Sequence, residues 1–192
     1  MEIRDAALSD IAQITEIYNS IVLTSTAIYN DQCSTAEERA DWWVHRVEQG
    51  FPVLVAVEGA SVLGYGSFGE FRSWPGYRLT VEGTVHIRED VRGQGVGRLL
   101  LAELIARARS MGKHVVVAGV DSENEASLRF LERHGFTYAG QLREVGFKFG
   151  RYLNLNFLQY WLTEPGAEPA ATDIGSKPKG KLEGGVNSRG SG

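Results

Sequence analysis

The run Arg92-Gly93-Gln94-Gly95-Val96-Gly97 is the sharpest chemical signal in the chain. Glycines at alternate positions let the backbone turn tightly and bring successive N–H groups to bear on an anion. Apolar residues follow at helical spacing (Val96, Leu99, Leu100, Leu104, Ala108), so the loop opens a helix whose N-terminal dipole favours the same anion. That is a phosphate or pyrophosphate cradle in outline. A P-loop needs Lys and then Ser or Thr after its last glycine, whereas Arg98-Leu99 follow Gly97. A dinucleotide fingerprint needs glycine where Arg98 or Leu100 stands, counting from Gly93 or from Gly95. Neither fits, which leaves open a cradle of another kind or an ordinary glycine-rich turn capping a helix.

A second signal is a charge out of place. Glu82 lies within Thr80-Val81-Glu82-Gly83-Thr84-Val85, an apolar run in which a lone carboxylate is costly unless paired or protonated. Facing inward, it would have a raised pKa and could act as a general base, directly or through water. Facing outward, it is a solvated strand residue.

Periodicity identifies the elements that must hold these residues. A strand over 2–4 precedes a helix with Ile11, Ile14, Ile17, Ile21 and Val22 on one face, capped by Asp10. After a loop over 23–33, Ser34 and Glu37 form a capping box that opens a second helix through Trp42, Trp43 and Val47 to a stop at Gly50. Runs over 53–57 and 62–71, joined by Glu58-Gly59-Ala60, predict a β-hairpin, and a Trp74-Pro75-Gly76 turn leads to a strand over 79–87. Then come a helix over 95–111, a strand at 115–117 and a capped helix from 122 to about 134. A strand from Phe136 and a last one through Leu153, Leu155 and Phe157 complete the order. Strands alternating with helices in the second half predict an α/β sheet covered on both faces.

Composition sets the boundaries. The 192 residues suffice for one sizeable core, and all 19 aromatic residues lie at or before Trp161. The 29 residues from Glu164 hold 7 of the 23 Gly, 3 of the 5 Pro and no aromatic side chain, too little to offset the entropy of ordering. One domain over 1–163 and a disordered tail over 164–192 are expected; residues 184–192 are compatible with appended cloning sequence. A net charge of −4 argues against nucleic acid or an anionic membrane as partner. With no apolar signal region at the start and no apolar run near 18 residues, a cytoplasmic protein is expected. The single cysteine, Cys33, excludes an internal disulfide and a Cys-cluster metal site; it reads as a buried or incidental thiol, and no metal is expected.

The pattern [Arg/Gln]-x-x-Gly-x-Gly between a strand and a long helix resembles the acetyl-CoA signature of the GCN5-related N-acetyltransferase (GNAT) superfamily. A second block agrees: Asn124, then 126–136 (ASLRFLERHGF), resembles that superfamily's Asn-bearing helix ending in Gly-Phe. Further residues resemble its phosphinothricin or methionine sulfoximine N-acetyltransferase branch. They are Ile17-Tyr18-Asn19, Thr26-Ala27-Ile28-Tyr29, Gly64-Tyr65-Gly66-Ser67-Phe68, Phe71-Arg72, Thr80-Val81-Glu82 and the run 146–152 (GFKFGRY). The resemblance spans roughly residues 2 to 162 and implies a mixed, mostly antiparallel sheet with splayed strands.

It also implies acetyl-CoA as co-substrate and direct attack of an amine on the thioester, which requires positioning and a route for the amine proton. Strand 79–87 should splay from strand 115–120, freeing peptide groups around Val85, His86 and Ile87 for the pantetheine arm while their side chains pack. Arg92 to Gly97 would take the pyrophosphate, Asn124 the pantetheine chain, and Arg133 a coenzyme A phosphate. Glu82 would be the base. The branch assigns Arg72 to the carboxylate of an amino-acid acceptor, a group that suits a bidentate guanidinium. Ser73 accompanies it, Arg78 is a weaker second cation, and Tyr29 and Trp74 would wall the pocket. Leu131 departs from the pattern: where the superfamily often has Tyr, and this branch His, as donor to the thiolate, leucine cannot donate. Tyr152 is an alternative donor, or the thiolate leaves unassisted. The implied function is acetylation of a small amino-acid-like α-amine by a homodimer. Rival readings are a protein or peptide N-acetyltransferase, which would need an open groove, and a non-catalytic acetyl-CoA sensor.

Overall fold

The computed structural model describes residues 1–167. Its strands and helices follow in the order β1 (Glu2–Asp5), α1 (Ile11–Thr24), α2 (Ala36–Glu48), β2 (Val53–Glu58), β3 (Ser61–Glu70), β4 (Thr80–Ile87), α3 (Val96–Ser110), β5 (Val115–Asp121), α4 (Glu125–Arg133), β6 (Thr137–Lys148) and β7 (Arg151–Trp161). Residues 168–192, and with them most of the expected tail, lie outside the described residues.

The strands form one sheet in the order β1-β2-β3-β4-β5-β7-β6, antiparallel throughout except between β4 and β5. Its centre is apolar on both faces, so both must be covered. Along β2, Val53, Val55 and Val57 pack with Ile11, Ile14, Ile17 and Ile21 of α1. The alternate residues Leu54 and Ala56 join Val96, Leu100, Leu104 and Ala108 of α3. This is the expected α/β architecture, with α1 and α2 on one face and α3 on the other.

Three helix starts differ from their sequence signals, each because a stronger partner claims the residue. Asp10 does not cap α1 with its side chain: both carboxylate oxygens bind Arg4, at 2.7 and 2.9 Å, and Ala7 N donates to one of them. The capping box of α2 uses Thr35 and Glu38, one residue beyond Ser34 and Glu37, because Asn19 engages the backbone N–H and C=O of Ser34. Helix α4 starts at Glu125, not 122, because Ser122 N donates to Asn154 O of β7 and Asn124 becomes the cap.

At the end of β6 the lysine is inside and its aromatic neighbours are outside. Lys148 is 1% exposed, whereas Phe147 and Phe149 on either side are 58% and 56% exposed. Cys33 is exposed. No helix among the described residues is long and apolar enough to cross a membrane.

Candidate active site

The site begins where two strands part. β4 and β5 pair in parallel over three rungs only, Thr80–Val115, Val81–Val116 and Glu82–Val117. Past Glu82 the strands diverge, so β4 from Gly83 to Ile87 keeps β3 as its sole strand partner among the described residues. The pleat then sorts side chains: Val81, Val85 and Ile87 pack with α3, while Glu82, Thr84 and His86 face α1 and α2.

Two cavities meet at this fork. An apolar slot runs between the separated strands, bounded by Val116, Ala118 and Val120 of β5, Leu104 of α3, the α4 cap Asn124, and Phe130 and Leu131 of α4. A charged pocket of about 320 Å³ lies on the other face of β4, lined by Tyr18, Arg39, Trp42, Arg46, Tyr65, Glu70 and Glu82. Ala27, Thr84 and His86 line both, so slot and pocket open onto one another at the fork.

Glu82 is therefore half-buried and faces the charged pocket, neither deep in the core nor on the solvated side. Burial pushes its carboxyl above the usual carboxylate range, and the Arg72 and Arg46 charges pull part of the way back. His86 packs against Tyr65 with the rings tilted and their centroids 5.2 Å apart, and burial pushes its imidazole down to about 4, which leaves it neutral near pH 7.

The glycine-rich loop has the geometry its sequence requires. Gly93 and Gly95 have φ of 80° and 87°, a region costly for other residues, and Gly95 is the N-cap of α3 with no side-chain cap. The first helical amide of this turn to find an acceptor is Leu99 N, on Gly95 O at 3.2 Å; Arg92 N and Gln94 N are held by Glu89 O and Val91 O, which leaves the N–H groups of Gly95, Val96, Gly97 and Arg98 without a backbone acceptor among the described residues. Gly97 has no such φ requirement: it lies beside the Phe130 ring, which a Cβ would meet at an ordinary contact distance of 3.4 Å. Gln94 folds back on Asp90 O, and Arg92 lines a shallow hollow beside α1 with Arg88. At the far end of the slot Asn124 Oδ1 accepts from Ser127 N and its amide group faces the cavity. Arg133 is exposed at the end of α4 and does not line the slot.

Residues 14–136 match the acetyltransferase (GNAT) family. The chain belongs to that family. It is 49% identical over 170 residues to the L-amino acid N-acyltransferase MnaT of Escherichia coli, covering 87% of this chain and 99% of the relative. It is 48% identical to an L-methionine sulfoximine/L-methionine sulfone acetyltransferase of Salmonella typhimurium (88% and 99%) and 34% identical to a phosphinothricin N-acetyltransferase of Streptomyces coelicolor (79% and 91%). A solved acetyltransferase from Salmonella typhimurium with its cofactor acetyl-CoA superposes with a TM-score of 0.84 at 48% identity, covering 88% of this chain and 98% of that one.

In this N-acetyltransferase the residues expected around the acceptor do not share one cavity. Arg72, Ser73, Trp74 and Arg78 line an outer depression with Tyr77 and Lys113, joined to the charged pocket through Glu70. Trp74 is 75% exposed, and Arg78 donates to Pro75 O of its own turn. Arg72 lies over the Phe71 ring at 5.1 Å, close enough for its charge to act on Glu82. Tyr29 is elsewhere: its ring covers Gly146 and its hydroxyl donates to Asn154 O at 3.1 Å. These contacts make Tyr29 a fastener that does not line the outer depression with Trp74, and burial pushes its phenol up to about 12. Leu131 is buried in the slot wall, and the suggested substitute Tyr152 is 66% exposed on the β6–β7 hairpin, edge-to-face with Phe147 and away from the slot.

Sequence reading missed two basic residues that the acetyltransferase turns inward. Lys148 Nζ donates to Ser25 O at 2.6 Å and Ile28 O at 2.8 Å, closing the turn that carries Ala27. Thr26 donates to the buried Asp121, so residues 25–29 are pinned to the ends of β5, β6 and β7. Arg46 of α2 is the other. Its signal was a cation one helical turn beyond Trp42, on the face that packs against β3.

Proposed function

We propose that the chain transfers acetyl from acetyl-CoA to the α-amine of a small amino-acid-like acceptor of the methionine sulfoximine, methionine sulfone or phosphinothricin type. The observation that carries this is the fork at Glu82, where a slot with one unpaired strand edge meets a charged pocket of small-molecule size. The slot suits the pantetheine arm, whose amides would bind backbone around Val85, His86 and Ile87 as a strand would. Asn124 would add one side-chain contact. The N–H groups of Gly93, Gly95, Val96 and Gly97, which have no backbone acceptor among the described residues, would take the pyrophosphate, with Arg92 and Gln94 framing the loop and Arg133 reaching an outer phosphate.

Acetyl-CoA supplies an activated acyl carbon. The acceptor amine bonds to that carbon, the carbon–sulfur bond breaks, and the thiolate departs without a donor at Leu131, as its moderate basicity permits. Glu82 takes the amine proton, directly or through one water; a raised pKa matches that task near neutral pH. Arg72, with Ser73 and Trp74 beside it, supplies positive potential for an acidic acceptor, and Arg78 organises the turn. The fastening of residues 25–29 over the junction favours a small acceptor over a peptide.

Two copies would pair across β6, an edge strand exposing Tyr138, Leu142, Val145 and Phe147. A long apolar edge of this kind invites pairing with another chain.

Thiol release from acetyl-CoA tests the reading, with methionine sulfoximine, methionine sulfone, phosphinothricin and a peptide as acceptors. Turnover with the amino acids is expected. Turnover with the peptide alone would favour a protein acetyltransferase, and saturable acetyl-CoA binding with no turnover would favour a sensor; either result overturns the proposal.

A further inference from the structure

Arg46 and Glu82 face one pocket as a half-buried cation and a half-buried anion, and they form no ion pair. Arg46 reaches inward from α2, and its guanidinium lies on the backbone of β3 at Gly69, where a Cβ would coincide with it. Gly69 has ordinary strand backbone, so what glycine supplies there is room. Gly69 is also the register partner of Glu82. The guanidinium thus stands over the strand position beside the carboxylate.

Arg46 makes no hydrogen bond or ion pair among the described residues. Arg39, the other arginine of the pocket, is already engaged: its Nε donates to Ser34 Oγ, and its guanidinium lies 4.1 Å over the Tyr18 ring and 5.1 Å over that of Trp42. Burial has taken Arg46 partly out of water, and Glu82 and Glu70 act on it only across space. A guanidinium withdrawn from water without a partner is costly, and a bound anion would offset that cost. In an α-amino acid the carboxylate and the amine are separated by a single carbon, a spacing suited to a cation and an anion on adjacent strands.

We propose that Arg46 binds the acceptor's carboxylate while Glu82 receives its amine. This rests on the amino-acid N-acetyltransferase reading and gives Arg46 the direct contact otherwise expected of Arg72. The pocket then selects zwitterions, and acceptors lacking the carboxylate lose the benefit of Arg46.

The test compares methionine sulfone with its carboxamide as acceptors for the wild type, Arg46→Met, Arg46→Lys and Gly69→Ala. Arg46→Met is expected to raise KM for the acid about tenfold or more, the loss of one charge-assisted contact, with little effect on the amide. Arg46→Lys should recover part of the loss. Gly69→Ala keeps the arginine but occupies its place, so it should reproduce the defect, and unchanged acetyl-CoA affinity in each variant shows that the fold is intact. In an active wild type, equal losses on acid and amide, or no loss on either, would overturn the inference alone. A wild type that acetylates no amino acid would overturn the parent reading and this inference with it.

Discussion

A Cβ on Gly119 would stand 3.3 Å from Oε1 of Glu82, so the carboxylate of β4 lies against the bare backbone of β5 just past the last rung joining the two strands. The fork and its acid are thus one feature: the strands part where the side chain needs space. Gly119→Ala is expected to displace the carboxylate by a few tenths of an ångström and to lower kcat, because misplaced catalytic groups lose rate steeply. Its thermal midpoint should change little. Steady-state kinetics beside a melting curve checks both.

Glu82 should also carry a stability cost. Its carboxyl titrates above the ordinary 4.5 in the folded chain, chiefly through burial. The folded state therefore holds the proton more tightly than the unfolded chain does, and the stability this supplies is full at low pH and lost as pH rises through the raised pKa. Glu82→Gln does not ionise. The variant should melt above the wild type at pH 7, and the gap should close toward pH 4.

Lys148→Met keeps bulk at a buried site but leaves the carbonyls of Ser25 and Ile28 without their donor. A loss of about 1–3 kcal/mol is expected, measured by denaturant unfolding. The turn bearing Ala27 would loosen, raising acceptor KM more than the affinity for acetyl-CoA.

If two copies join across β6, a charge on its exposed apolar row should separate them. Phe147→Glu is expected to halve the mass found by sedimentation equilibrium. A wild type that sediments as a monomer would remove the dimer.

What could be read in advance was what local chemistry determines. The loop from Gly93 to Gly97 and the helix after it depend on glycine spacing and an apolar stripe within some twenty residues, and the valine-rich run of β2 requires burial wherever it lies. The capping box of α2 reads one residue early in the sequence, at Ser34/Glu37, because Thr35/Glu38 satisfies the same pattern and Asn19, 15 residues back, chooses between them. Lys148 was hidden by its neighbours: Phe147 and Phe149 look like the inward residues of that strand, yet the pleat turns the lysine in. Tyr29 was placed by resemblance in a wall with Trp74, but its position follows from a hydrogen bond to Asn154, 125 residues away. Arg46 acquires meaning only from Gly69, and that pairing exists only once α2 is laid across β3.

The role of Glu82 as base is tested most directly by kcat for acetyl transfer to methionine sulfone across pH, in the wild type and in Glu82→Gln, with acetyl-CoA affinity titrated in both. The wild-type rate should fall on the acid side as Glu82 takes up its proton, and Glu82→Gln should lose about 10²–10⁴-fold in kcat, and with it that acid limb, at unchanged acetyl-CoA affinity. Glu82→Gln turning over at the wild-type rate, with the acid limb still in place, would contradict it.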